Sequence, residues 1–119
     1  MKISPDEDPN IHREIIRSIV DFNLDGLIAT NTTIHRNASY NSLIRETDGG
    51  LSGKLLYEKS NEVLKDVAKN ISHNLLIIGV GGVNSKDSFN HKRNLGASLV
   101  QIYTGFIFHG PKLIKEILR

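Results

Sequence analysis

Along the chain, short apolar runs alternate with longer stretches whose apolar residues recur every three or four positions, strand then helix, four times over. Lys2 to Ser4 reads as the tail of a strand. Asp8-Pro9 then offers an N-cap with proline at the first helical position, and Ile11, Ile15, Ile16, Ile19 and Val20 mark one packing face of the helix that follows. Asn23-Leu24-Asp25-Gly26 ends it, and Leu27 to Asn31 is an apolar run turning polar at its end, as a buried parallel strand does. The stretch 32–52 is polar and rich in Asn, Ser and Gly, which predicts a long loop with a functional role such as an active-site lid. Leu56, Val63, Leu64, Val67 and Ile71 define the second helix, and Leu75 to Val80 the third strand. Ser85 caps a polar helix running toward Leu95-Gly96, and Ser98 to Tyr103 forms the fourth strand. After Gly110, Pro111 to Leu118 closes the chain as an amphipathic helix packing through Leu113, Ile114, Ile117 and Leu118.

Alternating strands and helices with short connections predict an α/β fold with a parallel sheet and right-handed crossovers. Four βα units are half of a (β/α)8 TIM barrel, whose full ring needs roughly 250 residues; the 119 residues here suffice for about half of that. No linker or shift in composition divides residues 1–119, so they read as one partial domain. Barrels place their chemistry at the C-terminal ends of the strands. Lys2, Thr30-Asn31-Thr32, Gly79 to Asn84 and Tyr103-Thr104-Gly105 are therefore expected on a common rim.

Composition narrows the chemistry. The absence of cysteine removes disulfides, thiolate metal sites and a cysteine nucleophile. A net charge of +2, spread without a basic block, gives no sign of nucleic-acid binding. No window is apolar enough for a membrane span and the N-terminus turns acidic within a few residues, so the chain itself reads as soluble and without a secretory signal. The sequons at Asn31, Asn37 and Asn70 are accordingly read as chance. The histidines at 12, 35, 73, 91 and 109 lack ligand spacing, and no GxSxG elbow is present, so neither a metal site nor a serine-histidine nucleophile is expected.

Gly79-Val80-Gly81-Gly82 ends a strand and precedes a helix, leaving bare amides where a phosphate could approach. Position 84 is Asn84, so the GxGxxG dinucleotide pattern is incomplete, and a plain tight turn is an equal reading of these four residues. Tyr103-Thr104-Gly105 is the natural partner, since loops after the last two barrel strands often bind phosphate together. Thr30-Asn31-Thr32-Thr33 suits a planar polar ring or, equally, a local Asx or Ser/Thr turn. Lys2 could bring a cation to the rim or be simply solvated, and Gly49 to Gly53 reads as a donor-rich turn or an ordinary loop.

Taken in order, KISPD at 2–6, DGLIATNTT at 25–33, GGLSGK at 49–54, IIGVGGV at 77–83 and GASLVQIYTGFIFHGP at 96–111 resemble the quinone-dependent (class 2) dihydroorotate dehydrogenases, specifically the C-terminal half of their barrel. The resemblance implies a flavoenzyme that oxidises dihydroorotate to orotate in pyrimidine biosynthesis, passing electrons through FMN to a quinone. It implies FMN contacts at Lys2, Thr30, Gly53, Gly82, Tyr103 and Thr104, with Lys2 at the pyrimidine edge and Gly82, Tyr103 and Thr104 at the phosphate, and orotate contacts at Asn31 and Thr32. Leu55 stands where the family usually has proline. The family's membrane helices, first strands and serine base have no counterpart, so a fragment is expected: membrane-associated as part of the full-length enzyme, quinone-coupled through the missing region, and without a catalytic residue of its own. Association with itself or with a complementary half is also expected. The alternative is an inactive half-barrel that binds FMN weakly or serves only as an interaction module.

Overall fold

In the computed structural model, which describes residues 1–71 and 74–119, four parallel strands form one sheet in the order β1-β2-β3-β4. They are β1 (Lys2–Ile3), β2 (Gly26–Ala29), β3 (Leu76–Val80) and β4 (Leu99–Gln101). His73 and the Ser72 of the third sequon lie outside the described residues. The helices are α1 (Pro9–Asp21), α2 (Ser42–Glu46), α3 (Tyr57–Asn70), α4 (Lys86–Asn94), α5 (Thr104–His109) and α6 (Pro111–Leu118), and a 3-10 turn spans Gly53–Leu56. Sequential strands pair without exception, as successive βα units of a barrel wall do, and the expected α/β architecture is the one observed.

Local chemistry sets the helix starts. The Asp8 carboxylate accepts from the Asn10 amide at 2.7 Å with Pro9 at the first helical position. Ser85 and Ser88 cap α4 reciprocally, each side chain accepting from the other's amide, at 3.1 and 3.0 Å. Register then sorts the two faces of the sheet. Ile3, Leu27, Ala29 and Ile77 point toward the helices and bury against Ile16, Ile19, Leu64 and Val67. A second cluster joins Val83, Leu113 and Ile117 under α6. By strand alternation, Lys2, Ile28, Ile78, Val80 and Gln101 point the other way, onto a face where, Val80 apart, these side chains are exposed or half-buried.

Several expectations need correcting. Ile11 and Val20 are exposed, and it is His12 that turns inward on α1, its Nε2 2.9 Å from the Ser4 carbonyl. A helix of thirteen residues has only one narrow buried stripe, and a satisfied histidine competes for it. Leu118 is likewise exposed, at the end of α6. The 32–52 stretch is not one irregular loop: it contains α2 and a Thr33–Leu51 bridge, and the Arg36 guanidinium ties it together by bonding the carbonyls of Ile44 at 3.1 Å and Gly49 at 2.6 Å. The segment after β4 is helical, as α5. β1, β2 and β4 also end one or two residues earlier than the expected runs, whose last residues leave the ladder near the rim, while β3 ends at Val80 as expected.

Candidate functional site

A cleft of about 240 Å³ opens at the C-terminal ends of the four strands. Lys2, Thr30, Asn31, Thr32, Gly53, Gly82, Tyr103 and Thr104 all line it, so the structure gathers every residue that the sequence marked for cofactor or substrate. Lys2 and Thr30 arrive from β1 and β2 in neighbouring register, Lys2 being paired with Ile28. Across the sheet, β1 and β4 are three strand spacings apart, roughly 14 Å, so one ligand touching both ends must be elongated.

Each contributor is held by backbone geometry. The Thr30 amide donates to the Val80 carbonyl at 3.2 Å, and its hydroxyl to the Asn31 carbonyl at 2.8 Å. The hydroxyl of this buried residue therefore faces a ligand only as an acceptor. The Asn31 amide nitrogen is anchored on the Ile3 carbonyl at 2.7 Å, which leaves its exposed side chain for the cleft. Thr32 packs against Gly50, where any Cβ would collide with it. The peptide bond joining Ala29 to Thr30 is cis. Just behind this rim the Asp6 carboxylate accepts from the Thr33 hydroxyl, the Ile34 amide at 2.7 Å and the Lys59 ammonium. Burial pushes the Asp6 carboxyl up, but these bonds outweigh it and hold it below the usual value.

At the other end, Gly82 sits with φ +71, and a Cβ there would lie 2.5 Å from Tyr57 Cβ and 3.0 Å from the Gly53 carbonyl. Its amide donates to no protein acceptor among the described residues. The Thr104 hydroxyl donates to Ser52 Oγ at 3.0 Å, which joins the Gly53 turn to the start of α5. Tyr103 is 73 % exposed and walls the opening. Lys2 is the sole charged residue lining the cleft among the described residues, so the cleft favours an anionic or electron-rich guest. Unpaired glycine amides at one end, a cation at the other and hydroxyl and amide groups between them suit an elongated guest with a phosphate and a planar polar ring, which fits the FMN that the sequence resemblance implies. The volume falls below the roughly 300–1,000 Å³ of complete ligand pockets, so this cleft would hold one side of such a group.

Some of the site escaped the sequence reading. Gln101 lines the cleft because it pairs with Val80 in the ladder, and that register was readable only once the strands were aligned. Ser52 and Leu56 also contribute. Leu55 is exposed and takes no part in the cleft. Beneath the glycine turn lies Lys92, fully buried on a helix whose composition reads as solvated throughout. Among the described residues, no group of three or more histidine and carboxylate side chains could hold a metal ion, and no helix is long and apolar enough to cross a membrane.

Comparison with known proteins gives this geometry a context. The family model described as dihydroorotate dehydrogenase matches residues 1–119. A dihydroorotate dehydrogenase (quinone) of Aeromonas hydrophila subsp. hydrophila is 46% identical over 118 residues, covering 99% of this chain and 35% of that protein. One from Buchnera aphidicola subsp. Schizaphis graminum is 42% identical over 119 residues, again 35% of its length. The crystal structure of DHODH from Eimeria tenella in complex with ferulenol superposes with a TM-score of 0.90 at 35% identity, covering 98% of this chain and 31% of that one. The chain thus spans about a third of the length of the curated relatives it matches, 35% in each case.

Proposed function

Because the chain belongs to the dihydroorotate dehydrogenase family, we propose that it forms one wall of the active site of a quinone-dependent enzyme that oxidises dihydroorotate to orotate, holding the phosphate and pyrimidine edge of FMN and one side of the substrate ring. The observation that supports this reading is the convergence of Lys2, Asn31, Thr32, Gly82 and Thr104 on one cleft from separate elements. Bound FMN supplies the two-electron acceptor that no side chain can provide.

The chain's own residues bind and orient. The amides of Gly82 and of the Tyr103-Thr104 turn receive the phosphate, where charge-assisted bonds are about twice as strong as neutral ones. The Lys2 ammonium favours negative charge accumulating at the pyrimidine edge. Asn31 and Thr32 offer the orotate ring a paired donor and acceptor, fixing its plane against the cofactor. No lining residue is placed to remove the proton that must leave the substrate carbon: Lys2 and Tyr103 are the titratable groups of the cleft among the described residues, among which Ser52 accepts from Thr104 and pairs with no base. Proton removal falls to the part of the enzyme outside these 119 residues, and membrane association and quinone access are assigned to that part as well.

The exposure of Lys2, Asn31, Thr32 and Gln101 in the cleft favours a second statement, that these residues alone do not turn over. A positioned base contributes about 10²–10⁴-fold, and substrate lacking the opposite wall forfeits much of the proximity advantage. The test is an assay with FMN, dihydroorotate and a soluble quinone, on the chain alone and mixed with the complementary two thirds of a relative. Turnover that appears only on mixing, and disappears in Asn31→Ala, supports the proposal. Turnover by the chain alone contradicts the division of labour, and none on mixing contradicts the assignment of function.

A further inference from the structure

The glycine turn at the end of β3 rests on a buried ammonium that the proposed chemistry does not use. Lys92, on α4, is 0 % exposed. Its Nζ donates to Ser60 Oγ at 2.9 Å and to Asn61 Oδ1 at 2.7 Å, both on α3, and lies 5.7 Å from the centre of the Tyr57 ring. No carboxylate pairs with it among the described residues. Burial pushes this amine down from 10.5 to about 8. A charge so placed costs stability, and its surroundings show what it holds.

Because Ser60 Oγ accepts from Lys92, its single proton turns to the carbonyls of Tyr57 at 2.9 Å and Gly81 at 3.2 Å. The same three side chains shape the turn sterically. A Cβ at Gly79 would lie 3.2 Å from Lys92 Cδ, one at Gly81 2.5 Å from Ser60 Oγ, and one at Gly82 2.5 Å from Tyr57 Cβ. The glycines of this motif are therefore explained on their buried side by the lysine and its partners, and on the open side by the cleft.

We propose that Lys92 is a positioning residue for the glycine turn, acting through the Ser60 hydroxyl to fix the Gly81 carbonyl and so aim the Gly82 amide into the cleft. The consequence for ligand choice rests on the reading that this turn receives a phosphate. The anchoring of the turn does not.

The experiment uses the full 119-residue chain and the variants Lys92→Met, Ser60→Ala and their double. Amide order parameters from ¹⁵N relaxation report the turn without any ligand. In Lys92→Met the values for Gly81 and Gly82 should fall from about 0.85 to below about 0.6 while those of Leu27 and Ile77 stay unchanged. Ser60→Ala should do the same, and the double variant should add nothing. Should Lys92→Met fail to fold, Ser60→Ala carries the test. Unchanged order at the turn, or an equal loss across the core strands, overturns the proposal. Titration with FMN and riboflavin then reads the consequence: the preference for FMN should drop about tenfold in either single variant, as for one misaligned charge-assisted bond. A wild-type chain that prefers FMN and variants that keep the full preference also overturn it. A wild-type chain binding both flavins equally instead removes the phosphate reading, and the relaxation data still decide the anchoring.

Discussion

Replacing Gly82 by alanine separates a conformational cost from a steric one at the point where the site meets the fold. With φ +71, an alanine there pays about 1–2 kcal/mol for the left-handed backbone. The new methyl would also stand 2.5 Å from Tyr57 Cβ, 2.8 Å from Tyr57 Cα and 3.0 Å from the Gly53 carbonyl, atoms at or next to the backbone that cannot swing aside. Overpacking of this kind costs about 1–3 kcal/mol. Gly49→Ala is the internal control, because φ there is +98 but nothing lies within 4 Å of the added carbon. Gly49→Ala should therefore lose about 1–2 kcal/mol and Gly82→Ala about 2–5 kcal/mol. Urea unfolding followed by circular dichroism measures both, with the slope required to match wild type so that midpoints compare directly. Equal midpoint shifts in the two variants would refute the close packing of the turn on Tyr57.

Other expectations follow from the same geometry. Asn31→Ala, at an exposed rim position, should weaken orotate binding to the FMN-loaded chain by roughly tenfold in calorimetry while moving stability by less than about 0.5 kcal/mol. The Asp6 carboxyl is held below 3.8, so its contribution is intact above that pH and is lost as pH falls through the lower folded value; Asp6→Asn should flatten this acid limb, and an unchanged limb would exclude the clamp on Thr33 and Lys59. Lys92 gives a slope of the same sign in the alkaline range, since the unfolded chain keeps the proton up to 10.5 and the folded one only to about 8. Stability should thus rise between those values, by up to about 3 kcal/mol, and Lys92→Met should remove the rise; a variant with the wild-type alkaline slope contradicts the burial. Finally, β1 and β4 leave two open sheet edges and Leu99 is 55 % exposed on one of them, so light scattering should show self-association; a compact monomer at every concentration counts against it.

How far the sequence carries can be judged from particular residues. The alternation of apolar runs, the Asp8-Pro9 and Ser85 caps and Pro111 foretell the four strands and the starts of α1, α4 and α6, because those signals act within a few residues. The rim residues were legible for a related reason: strand ends are local, and parallel topology places them all on one side. What was not legible depends on partners distant in sequence. His12 and Lys92 look like surface residues until Ser4, Ser60 and Asn61 are brought beside them. Ile11 and Val20 look like core until the width of the α1 contact is known. The Arg36 bonds that organise the 32–52 stretch, and Gln101 beside Val80, likewise emerge only from tertiary register.

The central claim is that one cleft of this chain cradles the phosphate of FMN between Gly82 and Thr104. Fluorescence titration of the purified chain with FMN and with riboflavin, which share the ring system and differ in the phosphate, tests it most directly. The account predicts tighter binding of FMN by about 2 kcal/mol or more, roughly thirtyfold. Equal affinities for the two flavins would contradict it.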